Sequence, residues 1–206
     1  HLFLVSPLID GSASIDAVRH GAKGKAYLHL SCHGGFGWGG DVFDSALFLA
    51  NDETLSLSQI MAQFDLNSAR LVVLSACETG IADFNNVPSE FIGLPAGFMQ
   101  AGASAVISSL WAVEDRSTAL LMERMYKLIL GKEHPLEPAQ ALREAQLWLR
   151  DVTAKEIGEY YQAYLLPRMS QHNAANAYVD ILRRAKPNEK PDSHPYYWAA
   201  FTYHGF

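Results

Sequence analysis

The sequence predicts an α/β fold built on a largely parallel sheet covered by helices on both faces. Three observations carry that prediction. Residues 25–32, 70–76 and 104–110 form short runs that are apolar on both faces, as strands buried in a parallel sheet are. Stretches with apolar residues at helical spacing alternate with these runs. The first two runs each stop abruptly at a reactive residue and then a glycine, in Leu30-Ser31-Cys32-His33-Gly34 and Leu74-Ser75-Ala76-Cys77-Glu78-Thr79-Gly80. Parallel strands deliver such side chains to the carboxyl edge of the sheet, where α/β folds place their ligands.

Each element follows from local signals. Residues 1–9 are expected to form a short strand, and Ser14 to Ala22 a helix that stops before Gly24. Lys25 to Cys32 is the first buried strand, followed by a glycine-rich loop from Gly34 to Gly40. Ala46 to Leu49 reads as a short strand or hairpin edge. Leu57, Ile60, Met61 and Phe64 have helical spacing and predict a helix over Ser56 to Phe64. Arg70 to Ala76 is the second buried strand. Ser89 to Gln100 reads as a helix capped by Ser89 and stopped near Gly102. Ser104 to Leu110 is the third buried strand.

A long helix is expected from Asp115 to Leu130, ending at Gly131. Another starts near Pro138, a favoured first-turn position, and reaches Val152. Helical stretches follow over Lys155 to Leu165 and Asn173 to Ala185. A polar loop from Lys186 to Pro195 leads to a last strand, Tyr196 to Tyr203, whose aromatic residues through Phe201 are expected in the core.

The composition narrows the function. The 206 residues suffice for one sizeable core and a single domain over 1–206. Net charge is −6 and the basic residues are scattered, without the stripe that direct nucleic-acid binding requires. No apolar run approaches the length of a membrane span, and there is no signal-peptide pattern. The two cysteines are too few for a disulfide framework and fit a reducing, cytoplasmic compartment. The chain begins at His1 rather than methionine, which predicts a domain excised from a longer protein.

A thiol and an imidazole at neighbouring strand ends are the minimum equipment of a cysteine peptidase. A lone cysteine on an apolar strand is ordinarily core packing. Cys77 differs because it ends its strand and polar residues follow at once. His33 sits beside Gly34-Gly35, where backbone can approach a ligand closely. His29 is assigned a structural role and Cys32, on the opposite face from His33 by strand alternation, a packing role. A zinc site from Cys32, His33 and Cys77 would lack a CxxC or HxxxH pair and a clear fourth ligand, so no metal is expected.

The chain resembles the CHAT domain family, caspase-like peptidase domains often fused to TPR repeats and distantly similar to caspases and separase. The resemblance rests on Leu28-His29-Leu30-Ser31-Cys32-His33-Gly34 and on Ala69 through Gly80. It extends to Gly97-Phe98-Met99-Gln100-Ala101-Gly102-Ala103, Ser109-Leu110-Trp111-Ala112-Val113-Glu114-Asp115 and His194-Pro195-Tyr196-Tyr197-Trp198-Ala199-Ala200-Phe201. It implies a caspase-like three-layer α/β/α sandwich with a mostly parallel central sheet, truncated at its start and carrying a helical insertion near 151–190. It also implies a His33–Cys77 dyad that needs no cofactor and acts on protein or peptide substrates under a fused or bound TPR-type regulatory region. Cys77 attacks as thiolate, His33 protonates the leaving amine, and the backbone N–H groups of Gly34 and Cys77 form the oxyanion hole.

Asp115 is open to two readings. It sits where a helix begins, as an N-cap does. It could also line a specificity pocket with Trp111, as a similar aspartate in separase pairs with a substrate arginine. Glu78 is a second acidic candidate for substrate binding. No arginine is placed to hold an aspartate as caspases do.

Two other classes compete with the enzyme. One is a catalytically silent caspase-like interaction or regulatory module. The other is a ligand-binding domain with Gly34 to Gly40 as an anion loop, which lacks a GxGxxG or Walker pattern. The 81–88 segment has no periodicity and is expected to be mobile, held in a productive position by a bound or fused sensor.

Overall fold

The computed structural model describes residues 7–35, 45–75, 93–131, 133–165 and 185–205. The chain divides into two compact units, His1–Val113 with Ala200–Phe206, and Glu114–Ala199.

The first unit holds the central sheet. Strands β1 (Tyr27–Leu30), β5 (Leu71–Leu74), β6 (Ala105–Ser109) and β7 (Phe201–Gly205) lie in the order β1-β5-β6-β7. The first three are parallel and β7 is antiparallel to β6, so the expected mixed α/β class with a mostly parallel sheet holds. All four residues of β5 have no solvent exposure, which is why both faces of that run are apolar. The alternation of strand and helix in the first unit comes from α1 (Ile15–Ala22), α2 (Leu57–Gln63) and α3 (Leu94–Gln100). Ser14 caps α1 by accepting from the Ala17 N–H. Ser56 and Gln59 form a reciprocal capping box on α2, satisfying donors that the first turn leaves open. Leu57, Ile60, Leu66, Phe98 and Val106 join the sheet residues in one core cluster.

A second, antiparallel sheet includes the short strand or hairpin edge expected near Ala46 to Leu49, together with two strands that were not expected. It consists of β2 (His33–Gly35), β3 (Ala46–Phe48) and β4 (Thr54–Ser56). The strand expected over Lys25 to Cys32 therefore ends at Leu30. The chain breaks at Ser31 and Cys32 and then enters the second sheet, so Gly34 and Gly35 are strand rather than loop. The Gly35 backbone lies against the Phe48 ring, where a Cβ would stand 3.2 Å from the nearest ring carbon.

Other expectations need correction. Residues 7–9 are irregular, and the rest of the expected first strand lies outside the described residues. Helix α3 is capped by Gly93 rather than Ser89 and has a proline in its first turn. Ser89 itself, like the 81–88 segment, lies outside the described residues. The predicted last strand starts five residues late. Pro195–Trp198 is instead a helical turn, α7, capped by the His194 side chain, because proline cannot donate a ladder hydrogen bond but suits a first helical turn. Tyr196 accordingly stands 43% exposed, whereas Ala200 and Phe201 are buried as expected.

The second unit is helical among its described residues. It contains α4 (Asp115–Ile129), α5 (Pro138–Asp151), α6 (Ala154–Tyr160) and α7. A π-helical turn over Tyr161–Leu165 continues α6. Helices α4 and α5 pack together and bury Leu120, Leu121, Met125, Ala141, Ala145 and Leu149. Lys127 sits 4.3 Å from the centre of the Tyr160 ring. The start of α4 is tied to the segment before α7 by a forked ion pair. Arg116 donates through both terminal nitrogens to Asp192, at 3.0 and 2.5 Å, and the Asp192 side chain is wholly buried. The helix expected over Asn173 to Ala185 lies outside the described residues apart from Ala185.

Candidate functional site

The parallel register fixes where the chain leaves the sheet. Leu30, the last residue of β1, is the Cα partner of Leu74, the last residue of β5. His33 follows the first and Cys77 the second, each three positions further along the chain. Two hydrogen bonds hold the two exits side by side. The Ser75 N–H donates to the Leu30 carbonyl at 2.9 Å. The Ser75 Oγ lies 2.8 Å from the His29 Nε2. Cys77 and Glu78 themselves lie outside the described residues.

His33 opens β2, opposite Phe48 in the antiparallel pair, and is exposed. This differs from the expected placement at the end of the first buried strand. The imidazole is carried past the sheet edge by Ser31 and Cys32 and then fixed by a ladder of its own. Gly34, the oxyanion-hole candidate, follows it on β2 opposite Leu47.

Cys32 packs against the first unit's core, as expected. The reason differs from strand alternation, since Cys32 sits in the break between β1 and β2. Burial pushes its thiol up to about 11, so it stays protonated near neutrality. Burial acts oppositely on His29 and lowers its imidazole to about 4. His29 is nevertheless exposed on β1, so its ring stands at the surface beside Ser75 rather than sealed in the core. With its pKa so lowered, His29 is neutral near pH 7 and serves as a hydrogen-bonding group, in keeping with its expected structural role.

At the third strand exit, the Leu110 N–H donates to the Ala200 carbonyl at 2.9 Å, and Trp111 is half-buried. Asp115 is exposed and is the first residue of α4. The cap belongs to Glu114, whose carboxylate accepts from the Ser117 N–H at 2.9 Å. Of the two sequence readings of Asp115, the N-cap is thus corrected. Glu114 was missed because its longer side chain is a less common cap than aspartate. The Arg116–Asp192 pair was missed because 76 positions separate its members.

Among the described residues, no three His, Cys, Asp or Glu side chains are grouped to hold a metal ion. Nor is any described helix long and apolar enough to cross a membrane.

The model of the CHAT domain family matches residues 3–205, nearly the whole chain. No curated protein matches. Among solved structures 23 chains match, including one described as "Structure of Protease". That match has 16% identity and a TM-score of 0.40, and it covers 93% of this chain. It covers 36% of the other, so this chain spans about a third of the length of that structure.

Proposed function

The chain belongs to the CHAT domain family, and from that premise we propose that it is a cysteine endopeptidase domain working through a His33–Cys77 dyad. The observation that carries this reading is the register at the sheet edge. Leu30 and Leu74 are paired, and the imidazole and the thiol each follow three positions later. Two strands leaving a sheet side by side bring the residues just beyond them to one edge.

In this reading Cys77 attacks the scissile carbonyl carbon as thiolate. The tetrahedral oxyanion is received by the N–H groups of Gly34 and Cys77, and loss of one such donor typically lowers turnover about 10²–10³-fold. His33 then gives a proton to the departing amine nitrogen, a contribution of roughly 10²–10⁴-fold. Water hydrolyses the thioester and regenerates the thiol. Exposure of His33 suits a group that must meet substrate. Asp115 has no capping duty and is open to solvent, which supports a role in receiving a basic substrate side chain, with Trp111 and Glu78 as further lining. A fused or bound TPR-type sensor would control the site, in a cytoplasmic setting that keeps Cys77 reduced. A silent interaction module is the competing reading.

Substitution tests it directly. Cys77→Ala and His33→Ala should each abolish cleavage of a peptide library, while Cys32→Ala should cleave within about twofold of the parent. Undiminished cleavage by Cys77→Ala would overturn the dyad. A parent protein that cleaves nothing, even within its full-length chain and with its regulator bound, would favour the silent module.

A further inference from the structure

The pair formed by His29 and Ser75 is not needed by the dyad chemistry, yet it lies on the strands that deliver both reactive groups. His29 is on β1 and is the Cα partner of Val73, so its side chain reaches along β5 to the next residue beyond the strand, Ser75. The contact is short, at 2.8 Å between Nε2 and Oγ. Ser75 is also bonded through its N–H to the Leu30 carbonyl at 2.9 Å. The backbone of β5 is thereby fastened to β1 at a point two residues before Cys77 and four before His33 on the other strand.

We infer that His29 and Ser75 form a positioning latch that holds the exit of β5 so that Cys77 is presented to His33 in a reactive geometry. The inference rests on the peptidase reading above and names residues that act through Cys77 without touching substrate. A displacement of about 1 Å in a reacting group can lower a rate roughly 10²-fold, so a single hydrogen bond at this place has leverage on turnover that the same bond elsewhere lacks. The neutral ring is a suitable member of the latch, because a group that does not titrate near neutrality keeps the same bond while His33 exchanges its proton.

A serine within hydrogen-bond distance of an imidazole is also the arrangement of a nucleophile and its base. Here the base is weak, since the ring takes up a proton only near pH 4. No cleavage by Ser75 is therefore expected in a chain that lacks Cys77.

The experiment compares His29→Gln, His29→Leu and Ser75→Ala with the parent, in the full chain with its regulator bound. Peptide cleavage and the alkylation rate of Cys77 by iodoacetamide are followed in parallel. Glutamine can place an amide near the position of Nε2, so His29→Gln should keep turnover within about threefold. His29→Leu and Ser75→Ala should lower kcat about 10- to 100-fold with KM nearly unchanged, and should alter Cys77 alkylation several-fold. Parent-like kcat in both His29→Leu and Ser75→Ala would overturn the latch. A His29→Gln protein as impaired as His29→Leu would also overturn it, as would a loss confined to KM. If the parent cleaves no peptide, the peptidase reading fails and the latch is judged on alkylation alone: Cys77 rates unchanged across the three variants would end it as well.

Discussion

Cys32 and Cys77 are the chain's two thiols, and the surroundings of Cys32 make it a poor nucleophile. A thiol reacts as thiolate, and the burial that lifts Cys32 to about 11 leaves almost none of that form near neutrality. Iodoacetamide at pH 7.5 should therefore modify Cys77 at least tenfold faster than Cys32, as read by peptide mapping against time. A Cys32 adduct appearing first would contradict the buried thiol. At the start of α4, two adjacent carboxylates should respond in opposite ways. Glu114→Ala removes the cap and should cost about 0.5–2 kcal/mol, measured by urea unfolding. Asp115→Asn should leave stability within about 0.5 kcal/mol, because Asp115 is exposed and makes no cap. If Asp115 receives a basic side chain, the same substitution should lower cleavage after arginine or lysine about 10-fold or more, a charge-assisted contact being worth about 1.5–3 kcal/mol. The sequence exposed His33 and Cys77 as candidates because each ends an apolar run. It could not expose the bond between His29 and Ser75, which depends on the register of two strands 44 positions apart, from Tyr27 to Leu71.

At the scale of elements, the legible parts were those whose signals are local. Ser14 and Ser56 marked the starts of α1 and α2, and the apolar runs of β5 and β6 marked themselves. Of the sheet of β2, β3 and β4, only β3 was legible, as a short strand or hairpin edge near Ala46 to Leu49; β2 and β4 are three residues long, too short for alternation to show. Helix α7 was hidden for another reason: its Tyr-Tyr-Trp run has the composition of a strand, and proline in the first turn decided otherwise. Gly102, where α3 turns into β6, was read as a stop signal, and the structure gives it a stricter duty. Its φ is +111°, and a Cβ there would stand 2.8 Å from the Asn67 backbone nitrogen. Gly102→Ala should thus destabilise by about 1–3 kcal/mol, seen as a lowered Tm, since both conformation and space oppose it. An unchanged Tm would mean that the turn can be rebuilt.

The whole molecule should lose stability in mild acid for a reason that can be traced. In the unfolded chain His29 takes its proton near 6.5, but in the folded chain only near 4. Between those values the unfolded state binds more protons, so this contribution is complete above about pH 6.5 and is lost as pH falls toward 4. Burial lowers His204 as well and acts in the same direction. The urea midpoint should be higher at pH 7.5 than at pH 5, and the difference should shrink in His29→Gln. An equal difference in that variant would locate the acid sensitivity elsewhere. The Arg116–Asp192 pair belongs to another part of the balance: removing one member of such a buried pair typically costs about 3–5 kcal/mol because the other charge is stranded.

The sheet also has a history written into its connectivity. Strand β7 is the antiparallel neighbour of β6, yet the entire second unit is encoded between them. During synthesis β6 leaves the ribosome 92 positions before Phe201 does, counting from Ser109. At about 5–20 residues per second, its edge waits roughly 5–20 s for its partner. Through that interval the helical unit can assemble from consecutive sequence, while the sheet of β1, β5 and β6 remains one strand short. Vectorial synthesis therefore withholds the finished four-stranded sheet until Phe201–Gly205 has emerged, and a chain cut short before residue 201 would present the open edge of β6 to its neighbours.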